Sequence, residues 1–171
     1  MMDLKNLRWS DLKSPTIGPD EYLEKIKDNT YLIKNYENYS PKSNIVNAIK
    51  DCILNNQEEL KILAIGADWC PDSSRNVPSM VKLVKEMKST DIELHILYGV
   101  KADYSKKNKN SAWDEENSPP EATDPSFNLT NLPTFYFFNK KGNYISRIVE
   151  NPKKFSTLEE DLLNILKRSK E

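Results

Sequence analysis

The stretch Lys61-Ile62-Leu63-Ala64-Ile65-Gly66, which runs on through Asp68 into Trp69-Cys70-Pro71-Asp72-Ser73, decides the fold. Its first half is short, almost wholly apolar and closed by a glycine. That pattern suits a central strand buried on both faces. After Ser73 the apolar residues Val77, Met80, Val81, Val84 and Met87 recur on one side of a helix. Cys70 therefore stands where a buried strand gives way to a helix.

Working outward, residues 92–98 read as a second buried strand. Residues 134–138 form an aromatic strand, Lys140-Lys141-Gly142-Asn143 a turn, and residues 144–149 the other arm of a hairpin. A closing helix over about 156–168 is apolar at Leu158, Leu162, Leu163, Ile165 and Leu166. A strand–helix–strand unit followed by a hairpin and a helix predicts an α/β protein with a mixed central sheet flanked by helices. Ahead of it, the first forty residues read as a helical arm. Gly18-Pro19-Asp20-Glu21 is one helix start, with proline in the first turn and acids near the positive end. Tyr22, Leu23 and Ile26 supply its apolar face. Ser40-Pro41 is a second start with serine as cap, followed by Ile45, Ile49, Cys52 and Ile53 at helical spacing. The expected division is a helical arm over 1–57 packed on a domain over 58–171.

Residues 99–131 break the pattern. A basic half (Lys101, Lys106, Lys107, Lys109) passes into an acidic one (Asp114, Glu115, Glu116), then Pro119-Pro120 and Asp124-Pro125. A connection this long without periodicity is functional or disordered. Tyr104 and Trp113 among the charges fit a lid or a partner-binding loop, and the polar composition fits disorder equally.

Composition narrows the function. The chain has 171 residues, 37% apolar and 30% charged, which is enough for a packed core. A net charge of −1 gives no electrostatic case for nucleic acid or anionic lipid as partner. No apolar run approaches the roughly 20 residues of a membrane span, and Met1-Met2-Asp3-Leu4-Lys5-Asn6 lacks the apolar core of a signal peptide. The expectation is a cytoplasmic protein whose thiols stay reduced. Cys52 and Cys70 are the only cysteines and His95 the only histidine, too few for a zinc site of the usual ligands. No metal or organic cofactor is expected.

Trp-Cys-x-x-Cys between a buried strand and a helix is the active-site pattern of thioredoxins, and Trp69-Cys70-Pro71-Asp72-Ser73 resembles it in all but the last residue. Pro78 stands where that family carries the proline that bends the helix. Leu132-Pro133-Thr134, followed by Phe138 and Gly142, looks like the family's Ile-Pro-Thr segment and hairpin. Arg75, Asn76, Val77 and Pro78 resemble a branch with Trp-Cys-Pro-Asp-Cys-Arg-x-Asn-x-Pro, which also has an N-terminal helical arm. The resemblance covers about residues 60–168. It implies a thioredoxin fold, a cis proline at Pro133 lying against Cys70, and thiol–disulfide exchange with protein clients. Trp69, Pro71, Asp72, Leu132, Pro133 and Thr134 would then shape the substrate groove.

Elementary electrostatics agrees. A cysteine at a helix N-terminus meets unpaired N–H groups and the positive dipole end, which favour the thiolate. A fall in pKa from about 8.5 to about 7 would bring the thiolate to about half at neutral pH. Asp68 and Asp72 oppose it by repulsion, so a modest lowering is expected. Ser73 departs from the family by replacing the resolving cysteine, and cannot release a mixed disulfide. Its hydroxyl can still donate to the Cys70 thiolate. Either the protein is a natural monothiol variant, suited to client binding or to exchange with glutathione, or Ser73 replaces the second cysteine of a Trp-Cys-Pro-Asp-Cys enzyme. Cys52, on an apolar face, reads as an inert hydrophobe rather than a resolving thiol. Ala64 stands where the family carries a buried aspartate. His95 reads as a structural strand residue, and Arg75 as either an attractor of acidic groups or a solvated charge. The other function open to this sequence is a non-catalytic interaction module of the same fold.

Overall fold

The computed structural model describes residues 4–104, 112–153 and 156–169. Lys106, Lys107 and Lys109 of the basic half-loop, and Met1, Met2 and Asp3, lie outside them. Among the described residues the strands are β1 (Leu60–Ile65), β2 (Ile92–Leu97), β3 (Thr134–Phe138) and β4 (Tyr144–Val149), in the order β2-β1-β3-β4. β1 runs parallel to β2 and antiparallel to β3, and β3 pairs antiparallel with β4. The helices are α1 (Pro19–Ile26), α2 (Thr30–Asn38), α3 (Ser43–Asn55), α4 (Pro71–Met87) and α5 (Leu158–Arg168). This is the expected mixed sheet with flanking helices.

The strand alternation divides the core into two. Leu60, Ile62 and Ala64 of β1, Ile92, Leu94 and Ile96 of β2, and Phe135 and Phe137 of β3 face one cluster. Val77, Met80 and Val81 of α4 and Leu158, Leu162 and Leu166 of α5 complete it, with Ile49 and Ile53 of α3 and Tyr22 and Ile26 of α1. Leu63, Ile65, Leu97, Tyr136 and Phe138 point to the opposite face. Among the described residues no long helix covers them. Their cover is irregular chain: Leu7 from the N-terminal segment, and Val100, Trp113, Ala122, Phe127 and Leu129 from the long connection.

That cover corrects two expectations. The described parts of 99–131 are packed rather than disordered: Trp113 donates its Nε1–H to the Leu129 carbonyl at 2.8 Å, and Phe127 is fully enclosed. The Tyr136 hydroxyl donates to the Phe127 carbonyl at 2.8 Å, which fixes the connection to β3. Polar composition concealed this because a few large apolar residues do the covering. Nor are residues 4–17 helical beyond two short 3-10 turns, Leu4–Asn6 and Trp9–Asp11. The Trp9 N–H donates to the Gly142 carbonyl at 2.8 Å, and the Trp9 ring meets Phe138 and His95 edge-on. Tertiary contact, not helix propensity, sets this segment.

The helical arm also differs in detail. Asn29 accepts the Leu32 N–H and opens a separate helix, α2, that the sequence reading merges with its neighbour. Ser40 is not a cap, since α3 begins at Ser43 after Lys42. Lys42 N–H is instead held by the Glu159 carboxylate at 2.9 Å, which also accepts the Tyr39 hydroxyl. α5 starts two residues into its expected span. Thr157 and Glu160 cap it reciprocally.

Glu121 clamps the N-terminal segment onto the connection. Its carboxylate accepts the Lys13 and Ser14 N–H groups at 2.6 and 2.9 Å and the Ser14 hydroxyl at 2.5 Å. Burial alone would raise its pKa, but the Ser14 and Lys13 hydrogen bonds outweigh burial and hold it below the ordinary 4.5. A lowered carboxyl pKa stabilises fully above the unfolded value, and the stabilisation is lost as pH falls through the folded one. Protection of residues 4–14 in hydrogen exchange should therefore hold down to about pH 4.5 and fall below it, whereas E121Q should weaken it at neutral pH. A pH-independent E121Q difference would contradict the clamp. In urea unfolding, W113A and F127A should each cost about 3–5 kcal/mol, whereas Y104A, at an exposed site, should stay within about 0.5 kcal/mol. Neutral W113A and F127A variants would mean the connection does not cover the sheet.

Candidate active site

β1 ends at Ile65, and four residues carry the chain to Cys70, the N-cap of α4. Gly66 is required there. A Cβ on it would stand 2.9 Å from the Tyr98 ring and 3.0 Å from Ser73 Oγ. The Ser73 hydroxyl, fully buried, accepts the Ala67 N–H at 3.2 Å, and the Cys70 N–H reaches the Ala67 carbonyl at 3.3 Å. This pins the loop so that Pro71 enters the first turn of α4, where its missing N–H costs nothing. The first N–H groups of α4 have no carbonyl one turn earlier and face the Cys70 end.

Cys70 is 8% exposed. Its thiol donates to the Leu132 carbonyl at 3.6 Å, across 62 residues of sequence. The Leu132–Pro133 peptide is cis. Thus the two segments singled out in the sequence meet at one point. Leu132, Pro133 and Thr134 are nonetheless all buried, and Thr134 donates its hydroxyl to the Asn131 carbonyl at 2.8 Å. The Thr134 side chain does not line an open surface. Trp69 does: it is 45% exposed and fixed by an Nε1–H bond to the Val100 carbonyl at 2.8 Å.

The acids beside Cys70 are treated differently by the fold. Asp72 pairs with Arg75 one helical turn on, and Arg75 also donates to the Asn151 side chain at 2.8 Å. Arg75 is thus paired with an acid of its own helix while its side chain stays half exposed. Glu150, which lies beyond β4 with a left-handed φ of 68°, has its pKa raised by a hydrogen bond with Asp72 and by nearby burial. Asn76 joins the same contact, donating to the Glu150 carbonyl at 2.7 Å and to the Asn151 side chain at 2.9 Å. Sequence reasoning does not single out Asn76, Glu150 and Asn151 as a group. The available signal is Asn76 itself, a polar residue at the buried spacing of Ser73, Val77 and Met80 on α4.

Tyr98 packs behind the loop. Burial raises its pKa, helped by the charge of and hydrogen bond with Tyr22 and then by Asp68 and Cys70, so it stays protonated and is no base. Ala64, fully buried, offers no carboxylate beneath the cysteine. Cys52 belongs to the rim of the helical cluster and Cys70 to the opposite one, and both are free thiols. His95 accepts or donates at Thr16 Oγ1, 3.0 Å away, and burial lowers its pKa, which keeps the ring neutral at pH 7. It stands on the Trp9 side as a structural residue. Among the described residues no cluster of His, Cys, Asp and Glu fits a metal ion, and no helix is long and apolar enough to cross a membrane.

Two solved structures are similar to this chain: an HIV epitope scaffold and a protein of unknown function from Pseudomonas aeruginosa. Each is 14% identical, aligns with 88% of this chain at a TM-score of 0.43, and is itself covered over 73% and 76% of its length respectively. Curated proteins give no match. A thioredoxin family model matches residues 17–107, more than half of the chain, from before α1 through β1, the Trp69–Ser73 segment, α4 and β2. On that match, the chain belongs to the thioredoxin family.

Proposed function

We propose that the protein carries out thiol–disulfide exchange through a single nucleophile, Cys70, as a Trp-Cys-Pro-Asp-Ser variant of the Trp-Cys-Pro-Asp-Cys branch. One observation carries this reading: the Cys70 thiol sits at the N-terminus of α4 and against the carbonyl of Leu132, the residue before Pro133. The helix end favours the thiolate. Pairing of Asp72 with Arg75 offsets one of the two flanking carboxylates. Ser73 spends only a lone pair on Ala67 and retains its proton, so it is assigned stabilisation of the thiolate.

The chemistry balances without a cofactor. The Cys70 thiolate attacks one sulfur of a client disulfide, a mixed disulfide forms, and the other client sulfur leaves as a thiolate. Ser73 cannot resolve the product, so a second thiol must, supplied by the client or by a small thiol such as glutathione. Exposed Trp69 and Pro71 would flank an extended client chain, and Leu132 would offer backbone to it. This activity fits a reducing cytoplasm.

The 8% exposure of Cys70 favours a second reading, a non-catalytic interaction module, in which the thiol is only a packed side chain. The C70A variant separates the two. With a disulfide-bonded peptide, the parent protein and C52A should form one equivalent of mixed disulfide by intact mass, and C70A none. Retained client binding and function in C70A would overturn the exchange reading. In the same assay, S73C should gain an internal disulfide between Cys70 and the introduced thiol. It should then release the reduced client with no added thiol, where the parent holds about one equivalent as mixed disulfide until a thiol is supplied. An S73C protein that forms the mixed disulfide but never releases it would remove Ser73 as the reason for the arrest.

A further inference from the structure

The backbone of Glu150 reaches two different parts of the candidate site. Its N–H donates to the Pro133 carbonyl at 2.6 Å, and its carbonyl accepts the Asn76 side-chain amide at 2.7 Å. The same Asn76 Nδ2 donates to Asn151 Oδ1 at 2.9 Å, so both of its hydrogens go to one turn, 74 and 75 residues along the chain. Arg75 adds a further bond to that turn, donating to Asn151 Oδ1 at 2.8 Å. Glu150 holds a φ of 68°, a left-handed conformation that residues with a long side chain rarely adopt. Such a conformation persists where the surrounding bonds impose it.

Asparagine is a costly residue for this place on α4. Asn76 is 6% exposed, on the buried side of the helix with Ser73, Val77 and Met80. An apolar residue would pack there with no polar group to satisfy, and asparagine is a poor helix former. What Asn76 holds explains its presence. Cys70 caps α4 and Asn76 lies within the first two turns of that helix. Through them α4 meets the segment before β3 twice. Cys70 Sγ meets the Leu132 carbonyl at 3.6 Å, and Asn76 reaches the Pro133 carbonyl through the backbone of Glu150. The first contact is a thiol hydrogen bond, which is weak and disappears once the sulfur is a thiolate or part of a mixed disulfide. The second survives the chemistry.

We propose that Asn76 is a positioning residue for the exchange reaction: its clasp on the Glu150–Asn151 turn keeps the Leu132–Pro133 backbone beside Cys70 while a client chain pairs with it. The inference rests on the reading of Cys70 as the exchange nucleophile. It adds the source of a preference for an extended peptide over a small disulfide, because only a chain with a backbone can use the segment that Asn76 holds.

The test follows mixed-disulfide formation in a C52A background with two reagents, a disulfide-bonded peptide and dipyridyl disulfide, which has no backbone to pair. N76A should raise the half-saturating peptide concentration about five- to tenfold, the scale of one hydrogen bond, and leave the dipyridyl disulfide rate within about twofold. N151A alters an exposed residue and removes one acceptor of the clasp, so it should raise that concentration about two- to threefold. By NMR, the Glu150 amide should exchange about tenfold faster in N76A while the amides of α5 keep their rates. Equal losses with both reagents, or a half-saturating concentration that N76A leaves at the parent value, would overturn the inference. If N76A does not fold, N151A decides by the same comparison. A parent whose Cys70 reacts with neither reagent overturns the exchange reading and this inference with it. A parent that reacts with both, and whose variants match it, overturns this inference alone.

Discussion

The bond from the Ala67 N–H to the Ser73 hydroxyl, at 3.2 Å, sets the geometry on which the reactive end of the molecule depends. It joins the loop that leaves the central strand to the first turn of the helix that loop must enter. With Tyr98 closing over a bare Gly66 from the other side, the chain has one path from Ile65 to Cys70. A buried N–H without this acceptor would cost about 1–3 kcal/mol, so the loop cannot relax cheaply into another shape. Residue 73 is thus under two demands, to satisfy Ala67 and to stand behind the thiol. A hydroxyl meets the first directly, and a thiol there would accept only weakly.

Around that junction the site is assembled from pieces distant in sequence. Cys70 and Leu132 meet across the sheet, Trp69 is steadied by Val100, and Asp72 is neutralised through Arg75 and Asn151. None of these partners lies on the element that presents the cysteine, other than Arg75. The nucleophile is positioned by β1 and α4, while its electrostatic setting is supplied by the ends of β2, β3 and β4. The division resembles other α/β proteins, in which rigid elements hold a group and the loops at strand ends decide what surrounds it.

The strands and α4 are legible because burial on both faces imposes an unmixed apolar run, as in Ile62–Ile65, and one-sided burial imposes a helical repeat, as in Val77, Met80, Val81 and Val84. The meeting of Cys70 with Leu132-Pro133 is legible only through resemblance, since no local pattern encodes a contact across 62 residues. What stays hidden obeys the same rule. Trp113, Phe127 and Leu129 are isolated apolar residues in polar surroundings, and periodicity cannot register them. Leu7 and Trp9 are placed by the hairpin turn at Gly142, far along the chain. Asn29 opens a helix that runs together with its neighbour on the page because two short helices of similar composition adjoin. At Asn76 the buried position is visible and the partner, 75 residues on, is not.

The strap formed by Leu7 and Trp9 has a consequence for how the chain is made. It rests on the backbone of Gly142 and Tyr144, so Leu7 and Trp9 leave the ribosome well over a hundred residues ahead of the turn that holds them. At about 5–20 residues per second, that interval is on the order of ten seconds. Throughout it, the second face of β1 has neither of its covers, because Phe127 and Leu129 also arrive late. The helical face has a different schedule, since α1 to α4 are all complete by residue 87 and, of its helices, only α5 follows. Nascent protein therefore passes through a half-built state, dressed on one side and bare on the other. The bare side is the one that holds the cysteine.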